Sequence, residues 1–427
     1  LPGPNSIQPA AQVLENRDSG TDLDVALRLA KNFGRVLRHA NGVGWLVWDG
    51  RRWAANSDHH VTNLAMKSAR KWTMEAVNFK GAGSQERYRQ ASALECANRI
   101  KSACELARSL PGIWISHSDL DRNEWLLNCR NGTVDLTTGE LRPHRREDII
   151  TKLADVDYDP NATHPALDQF LKTIESHNPD LPGFLARCFG ATLTGDATLE
   201  TLFVLQGEGG SGKTTLTESV ASLLRDYSCK LPFESLCRSK FGRQAGAATP
   251  DLIPMRGARL VYATEGNANS ELDAGKLKEL TGAEPVTLRA LYKEPITVEP
   301  TWKIWMVSNY DPRASSEDTG LWRRVVKLQF AEIPEEKRDI RVKEALVSDE
   351  TAKSAVLAWA LRGCLEWYRA GRGRGGLRIP QSISDATDAY RAKQDALGDW
   401  WDEITAYATF YPSGWTSVKD LRSNYSQ

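Results

Sequence analysis

This sequence predicts an α/β fold built on a mostly parallel sheet, preceded by a mainly helical region with a small β element and followed by a helical tail. Three observations carry that expectation. Residues 200–330 alternate short apolar runs with stretches of helical spacing, the pattern of strands joined by crossover helices. One of those runs, Leu202-Phe-Val-Leu-Gln206, leads straight into a glycine-rich turn and then a helical stretch. The flanking residues repeat apolar side chains at three- and four-residue spacing, the stripe of a helix with one buried face.

The elements follow in order. Residues 1–20 are polar and read as a disordered lead-in. A helix starts near Asp22, with Val25, Ala26, Leu29, Ala30 and Phe33 on one face. In Trp45-Leu-Val-Trp-Asp-Gly-Arg-Arg-Trp53 two apolar runs flank Asp49-Gly50, a short-range hairpin signal. Residues 61–110 read as helix without internal proline, and 111–160 as a small β-rich element with an Asn131-Gly132 turn. Residues 165–195 return to helix, with Phe170, Ile174, Phe184 and Phe189 in its apolar stripe, read as core packing. After Pro334 the chain is helical to about Arg369, and Gly371-Arg-Gly-Arg-Gly-Gly376 reads as a linker too glycine-rich for helix. The expected domains are therefore a helical/β region over 21–195, the α/β core over 196–332, its helical continuation over 333–370, a Gly/Arg linker over 371–381 and a final segment over 382–427.

Composition sets outer limits. The chain has 427 residues, long enough for two or three domains, with 41% hydrophobic and 26% charged residues. Lys plus Arg number 55 and Asp plus Glu also 55, so bulk charge neither supports nor excludes a nucleic-acid partner. No apolar run approaches the roughly 18 residues of a membrane span, and no membrane partner is expected. The seven cysteines form no Cys-x-x-Cys pair, which fits reduced thiols in a cytoplasm. Apart from adjacent His59-His60, read as polar loop, the histidines show no metal-ligand spacing. The chain begins without Met, and a fragment of a longer protein is the expectation.

The chemistry sits in residues 200–330. Gly207-Glu-Gly-Gly-Ser-Gly-Lys-Thr214 matches G-x-x-x-x-G-K-[ST] in full, between an apolar strand and a helix. Glycines (Gly207, Gly209, Gly210, Gly212) let backbone N–H groups turn toward a polyphosphate, with Ser211 and Thr215 beside them; the helix N-terminus adds partial positive charge. Lys213 supplies a point charge to the β- and γ-phosphates of ATP, and the Thr214 hydroxyl ligates Mg²⁺. Ala258-Arg-Leu-Val-Tyr-Ala-Thr-Glu265 reads as a strand on a neighbouring position whose end carboxylate, Glu265, holds the Mg²⁺ shell, polarises water, or does both. Strand Lys303 to Ser308 ends in Asn309, an amide suited to the γ-phosphate or the lytic water. Trp322-Arg323-Arg324 precedes a further apolar strand.

In this order, P-loop, strand-acid, Lys-rich helix with basic hairpin, strand-Asn and Trp-Arg-Arg, the sequence resembles the superfamily-three helicases, and more narrowly the phage/plasmid (poxvirus-type) primase-helicases. Trp45 to Trp53 and Leu126 to Gly139 resemble the region before the helicase in that family. The resemblance implies an AAA+-like ring, usually a hexamer, with ATP between subunits and 3′-to-5′ translocation on single-stranded or forked DNA. It implies that Lys213, Thr214, Glu265 and Asn309 act from one subunit, that Arg323 or Arg324 reaches the neighbour's γ-phosphate, and that Arg289, Tyr292 and Lys293 form a DNA-gripping hairpin. It further implies a role in phage or plasmid replication in a bacterial cytoplasm, any primase or polymerase domain lying in a missing N-terminal part, and a winged-helix domain beginning at 382. Thr264 stands where many members carry a second carboxylate. The alternative function is an AAA+-like replication initiator that hydrolyses ATP without processive unwinding.

Overall fold

In a computed structural model the described residues are 20–55, 57–238, 248–264, 270–291, 295–395, 416–417 and 420. The chain divides into two compact units: residues 1–124, 128–133 and 142–153 in the first, and 125–127, 134–141 and 154–427 in the second.

The first unit opens with α1 (Asp22–Phe33). Thr21 and Asp24 cap it reciprocally, Asp24 taking the Thr21 N–H at 2.9 Å and Thr21 Oγ1 the Asp24 N–H at 3.4 Å. Strands β1 (Leu37–Ala40), β2 (Gly44–Trp48) and β3 (Trp53–Ala54) form an antiparallel meander. The expected Asp49-Gly50 hairpin is the β2–β3 turn, with Trp48 opposite Trp53 and Gly50 at φ +100°. The helical stretch expected over 61–110 is three helices, α2 (Asp58–Val77), α3 (Ser84–Ala93) and α4 (Ala97–Ala107); Gly81 and Gly83 separate the first two, and residues 94–96 the last two. Val25, Leu29, Trp45, Leu64, Trp72 and Ile100 share one apolar core. The small β element is present as β4 (Leu126–Cys129), β5 (Gly132–Asp135) and β6 (Leu141–Arg142).

The second unit contains α5 (Pro165–Glu175) and α6 (Leu181–Thr192), then β7 (Leu202–Gln206), α7 (Lys213–Leu224), β8 (Ser228–Leu231) and β9 (Leu260–Thr264). Next come α8 (Ala274–Thr281), a hairpin of β10 (Val286–Leu288) and β11 (Ile296–Val298), β12 (Lys303–Ser308), α9 (Thr319–Trp322) and β13 (Val325–Gln329). Helices α10 (Ile340–Ser348), α11 (Glu350–Arg369), α12 (Gly373–Gly376) and α13 (Gln381–Ala392) complete it. The sheet is five-stranded in the order β13-β7-β12-β9-β8, every neighbour parallel. Its central strands β7 and β12 are buried on both faces, as their continuous apolar runs require. On one face Phe189, Trp305 and Phe203 stack at 4.0 and 4.3 Å between centroids, clamping α6 onto β12 and β7. On the other, Val204, Val261, Ile304 and Met306 pack beneath α8 and the β10–β11 hairpin.

Helices α6 and α11 cross at backbone contact. A Cβ on Gly363 would lie 2.0 Å from the Ala186 carbonyl oxygen, and one on Gly190 2.2 Å from the Cys364 nitrogen. No helix among the described residues is long and apolar enough to cross a membrane.

Three expectations are corrected here. The strand ending at Thr264 is not next to β7; β12 lies between them, so Thr264 closes a strand two places from the one that leads into the glycine loop. The Gly371–Gly376 stretch is not a free linker. It holds a single helical turn, allowed by Arg372 at φ +61° and pinned by Arg374, whose Nη1 and Nη2 donate to the carbonyls of Arg324 and Val325 at 3.4 and 3.2 Å. The described residues up to 395 do not stand apart from the sheet: α13 packs on β13, Tyr390 is buried in the core and donates to the Pro312 carbonyl, and Thr387 accepts from the Lys327 N–H. The tryptophans at 400, 401 and 415 lie outside the described residues.

Candidate functional site

A cavity of about 540 Å³ opens at the C-terminal edge of the sheet, where β7 and β12 end side by side. The loop Gly209–Gly212 and the first residues of α7, Lys213, Thr214 and Thr215, form its floor. Glycine is required in that loop by space. A Cβ at Gly207 would meet the Phe330 carbonyl oxygen at 2.3 Å, and one at Gly212, where φ is +89°, would meet the Phe170 ring at 2.9 Å. The loop therefore lies tightly between the end of β13 and α5.

Lys213 is 4% exposed, and its ammonium donates to the Gly207 and Glu208 carbonyls at 2.5 and 2.9 Å and to Ser211 Oγ at 2.9 Å. Burial pulls its pKa below the ordinary lysine value, with the Glu208 carboxylate acting in the opposite direction. The head is thus held at the mouth of the helix, where a cation and the backbone N–H groups of α7 face the same space.

Ser308 and Asn309 at the end of β12, and Thr264 at the end of β9, line the same cavity. Asn309 is exposed, and its backbone carbonyl accepts from Gln206 Nε2 at 3.2 Å, tying the ends of β7 and β12 together. Glu265 lies outside the described residues. The structure thus brings Lys213, Thr214 and Asn309 together with Gly209, Gly210 and Gly212 around one cavity. Among the described residues no group of three or more His, Cys, Asp or Glu side chains could hold a metal ion. The Thr214 hydroxyl is the described oxygen at the loop suited to a hard cation.

The two arginines part company. Arg324 is 8% exposed; its Nη1 donates to the Gly320 carbonyl at 2.9 Å and its Nη2 to Glu200 Oε2 at 3.2 Å. Arg323 is exposed, and no hydrogen bond ties its side chain to any described residue. Both belong to the corner between α9 and β13, fixed by Asp318. That carboxylate accepts from Lys278 Nζ at 2.9 Å and caps α9 by accepting the Leu321 N–H at 2.9 Å. The lysine hydrogen bond first, with the backbone N–H behind it, holds its pKa below the usual carboxylate range. The corner lies at the opposite edge of the sheet from the glycine loop. Val325 is level with Leu202 and Gln329 with Gln206, so five strand residues at ~3.3 Å each separate the two, roughly 16 Å.

The β10–β11 hairpin is present, with Val286 opposite Val298 and Leu288 opposite Ile296. Arg289 sits exposed at its base, where its backbone exchanges hydrogen bonds with Thr249 at 2.8 and 3.0 Å. Tyr292 and Lys293 lie outside the described residues.

Several cavity residues escaped the sequence reading. Gln169, Phe170 and Thr173 come from α5, and Ile333, Arg338, Val342 and Lys343 from the segment around α10. Phe170 carried the apolar periodicity of a core position, and no local signal separates a core phenylalanine from one that walls a cavity. Arg338 lies over the loop, with Nε on the Ile333 carbonyl at 2.7 Å, Nη2 on Glu332 at 2.9 Å and on the Gly209 carbonyl at 3.4 Å.

Residues 26–175 match the family described as "D5 N terminal like", and residues 205–324 match a "Family of unknown function (DUF5906)". The chain is 28% identical over 322 residues to a protein of Acanthamoeba polyphaga mimivirus named "Putative helicase", a match covering 72% of this chain and 33% of that protein. It is 27% identical over 343 residues to an African swine fever virus protein named "Putative primase", covering 72% and 35%. The chain thus spans about a third of the length of these relatives. Among solved structures, the apo C-terminal region (305–718) of NrS-1 aligns with TM-score 0.44 and 11% identity over 67% of this chain and 74% of that one. In its matched regions the chain is thus similar to proteins of large DNA viruses that are named putative helicases or primases.

Proposed function

We propose that the chain is the motor of a DNA helicase: an AAA+-like P-loop ATPase that hydrolyses ATP between subunits of a homo-oligomeric ring and moves along single-stranded DNA to open a fork. The observation that carries this reading is the separation of Arg323 from its own glycine loop. An exposed arginine roughly 16 Å of strand away, with no side-chain partner among the described residues, cannot serve the site of its own subunit. It suits the site of a neighbour, which is how a ring couples hydrolysis to assembly.

The residues at the loop fit the nucleotide. Gly207 to Gly212 leave room for phosphates against backbone N–H groups, Lys213 neutralises the β- and γ-phosphates, and Asn309 orients the γ-phosphate or the attacking water. Mg²⁺, held by Thr214 with Glu265 completing its shell, would supply charge neutralisation on the phosphate oxygens. Arg323 stabilises the transferring phosphoryl of the adjacent subunit, while Arg324 holds the corner that presents it. The hairpin carrying Arg289, Tyr292 and Lys293 grips the strand, Lys293 neutralising phosphate and Tyr292 packing on sugar or base. A phage or plasmid replicon in a bacterial cytoplasm, a hexameric ring and a 3′-to-5′ direction are carried over from the family resemblance.

The test is ATPase rate across protein concentration with and without single-stranded DNA, followed by strand displacement on a forked duplex. The reading requires a rate that rises with both, and displacement that Lys293→Ala abolishes while basal turnover persists. Glu265→Gln is expected to bind ATP without hydrolysing it. A rate indifferent to concentration and DNA overturns the shared-site reading; stimulated turnover without displacement points to an initiator-type ATPase.

A further inference from the structure

The first unit carries a group of arginines that the nucleotide cavity does not use. Arg35, Arg51 and Arg145 are exposed, and Arg38 and Arg146 are half-buried. Among the described residues none of the five has a carboxylate within ion-pair distance, because the nearby acids are engaged elsewhere. Asp49 accepts the backbone N–H groups of Arg51 and Arg52 at 2.8 Å and faces the Arg52 guanidinium at 3.6 Å. Asp148 is held by Arg142 at 2.8 Å, and Asp121 takes the backbone N–H of Thr151 at 2.7 Å. Glu147 is exposed beside them, and its field on Arg38 is smaller than that of Arg146.

A shared polar scaffold holds these arginines on neighbouring segments. Arg146 Nη1 donates to the Arg35 carbonyl at 3.2 Å, and the Arg146 carbonyl accepts Trp53 Nε1 at 2.9 Å. The Arg38 guanidinium lies 4.8 Å over the Trp53 ring. Asn128 is fully buried; its Nδ2 donates to the carbonyls of Arg51 and Lys152 at 3.0 Å each, and its Oδ1 is shared by the Thr133 hydroxyl at 3.0 Å and His144 Nδ1 at 2.8 Å. One buried amide thereby fixes the backbone at Arg51 and the residue preceding Arg145. Burial first, and the Arg146 charge second, push the Arg38 guanidinium below its ordinary value, so like charges are held together at a cost that a bound anion would offset. Planar guanidinium forks on a fixed scaffold match phosphate oxygens in bidentate geometry.

We infer that this face of the first unit binds the phosphate backbone of a single DNA strand, with Arg35, Arg51 and Arg145 as direct phosphate contacts and Arg38 and Arg146 sustaining the field behind them. The contact needs no nucleotide and is separate from the hairpin of the motor. The region upstream of the motor then holds DNA while the hairpin moves.

The experiment is fluorescence anisotropy of a labelled oligothymidylate against the full chain, without nucleotide, over a salt series. The variant Arg35→Ala/Arg51→Ala/Arg145→Ala is expected to lose at least about tenfold in affinity, with the log–log salt slope shallower by about 2, since each single-strand phosphate contact contributes ~0.7. Lysine at the same three positions should restore most of the affinity, which also reports intact folding. Lys67→Ala/Lys71→Ala/Lys101→Ala removes the same charge from exposed positions on α2 and α4 and should leave affinity and slope near those of the parent. Parental affinity and slope in the arginine variant, or an equal loss in the lysine control, overturns the inference. So does polyglutamate displacing the strand as well as unlabelled oligothymidylate does, which would assign the face to an acidic peptide. Lys293→Ala is measured alongside: a loss confined to that variant counts against this surface and leaves the motor reading intact.

Discussion

Replacing each of the paired arginines singly separates the two functions given to this corner. Arg324→Ala removes a hydrogen bond to the Gly320 carbonyl and an ion pair to Glu200, and empties the space of a side chain only 9% exposed. A hydrogen bond from a charged donor contributes about 1.5–3 kcal/mol. Glu200 is 43% exposed and turns to water when its partner leaves, so the ion pair adds only ~0.5 kcal/mol. With the lost packing of the stem the total is about 2–3 kcal/mol, or roughly 3–5 °C in Tm for a unit of this size. Arg323→Ala deletes an exposed side chain that has no partner among the described residues, and its cost stays within about 0.5 kcal/mol. Its effect appears in turnover instead, with a fall on the order of 10³ and no change in nucleotide affinity, taking the trans-acting arginine of GTPases as the guide. Thermal unfolding, equilibrium binding of a fluorescent ATP analogue and ATPase rate at saturating protein measure all three quantities on each variant. Undiminished turnover in Arg323→Ala would falsify the assignment. So would an Arg324→Ala protein of parental Tm that has lost turnover, which would exchange the two roles.

Three further outcomes are expected. Lys213→Ala loses at least about tenfold in ATP affinity by equilibrium titration, because the buried ammonium is the described cation at the loop floor. Gly363→Ala separates α6 from α11, since its Cβ falls 2.0 Å from the Ala186 carbonyl oxygen; a loss of about 1–3 kcal/mol or more is expected in chemical denaturation, against near-parental stability for Gly209→Ala, where nothing lies within 4 Å. Alkylation at pH 8 followed by peptide mapping should label exposed Cys96 first and leave buried Cys188 and Cys364 unlabelled until the chain unfolds. Burial pushes the Cys237 thiol up to about 11, so its thiolate fraction at pH 8 is about 10⁻³ and its labelling rate should climb with pH toward 11.

The parallel sheet was legible because its strands are short apolar runs bounded by turn residues, and the glycine loop because few sequences turn so tightly between a strand and a helix. Asn309 was legible as well: a polar residue closing the fully buried run of β12 marks a strand end, and parallel pairing sets it beside the loop. Strand order was not. Nothing local in Leu260–Thr264 says that β12 inserts between it and β7, since order depends on which crossovers pack over which face. Which of Arg323 and Arg324 is buried was equally hidden, because it turns on Glu200, more than a hundred residues away in sequence. Glycine content misled at 371–376: a single turn survives there because distant carbonyls take up Arg374, a tertiary effect no propensity includes. The cavity wall from α5 and α10 was unreadable for the same reason.

That turn at Gly373–Gly376 bears on how subunits would meet. Arg374 grips the carbonyls of Arg324 and Val325, the Leu202 N–H donates to the Arg324 carbonyl at 2.9 Å as well, and Trp367 Nε1 donates to the Gly373 carbonyl at 2.9 Å. The backbone beside Arg323 is therefore held by Arg374 and by Leu202, with Trp367 bracing the turn that carries Arg374. Little main-chain entropy remains to be lost there on contact, and an incoming copy meets a preset prong on a stiff mount. Docking rather than loop closure would then be the event that completes the reaction centre, and an isolated subunit would be silent for want of a neighbour, not for want of a rearrangement.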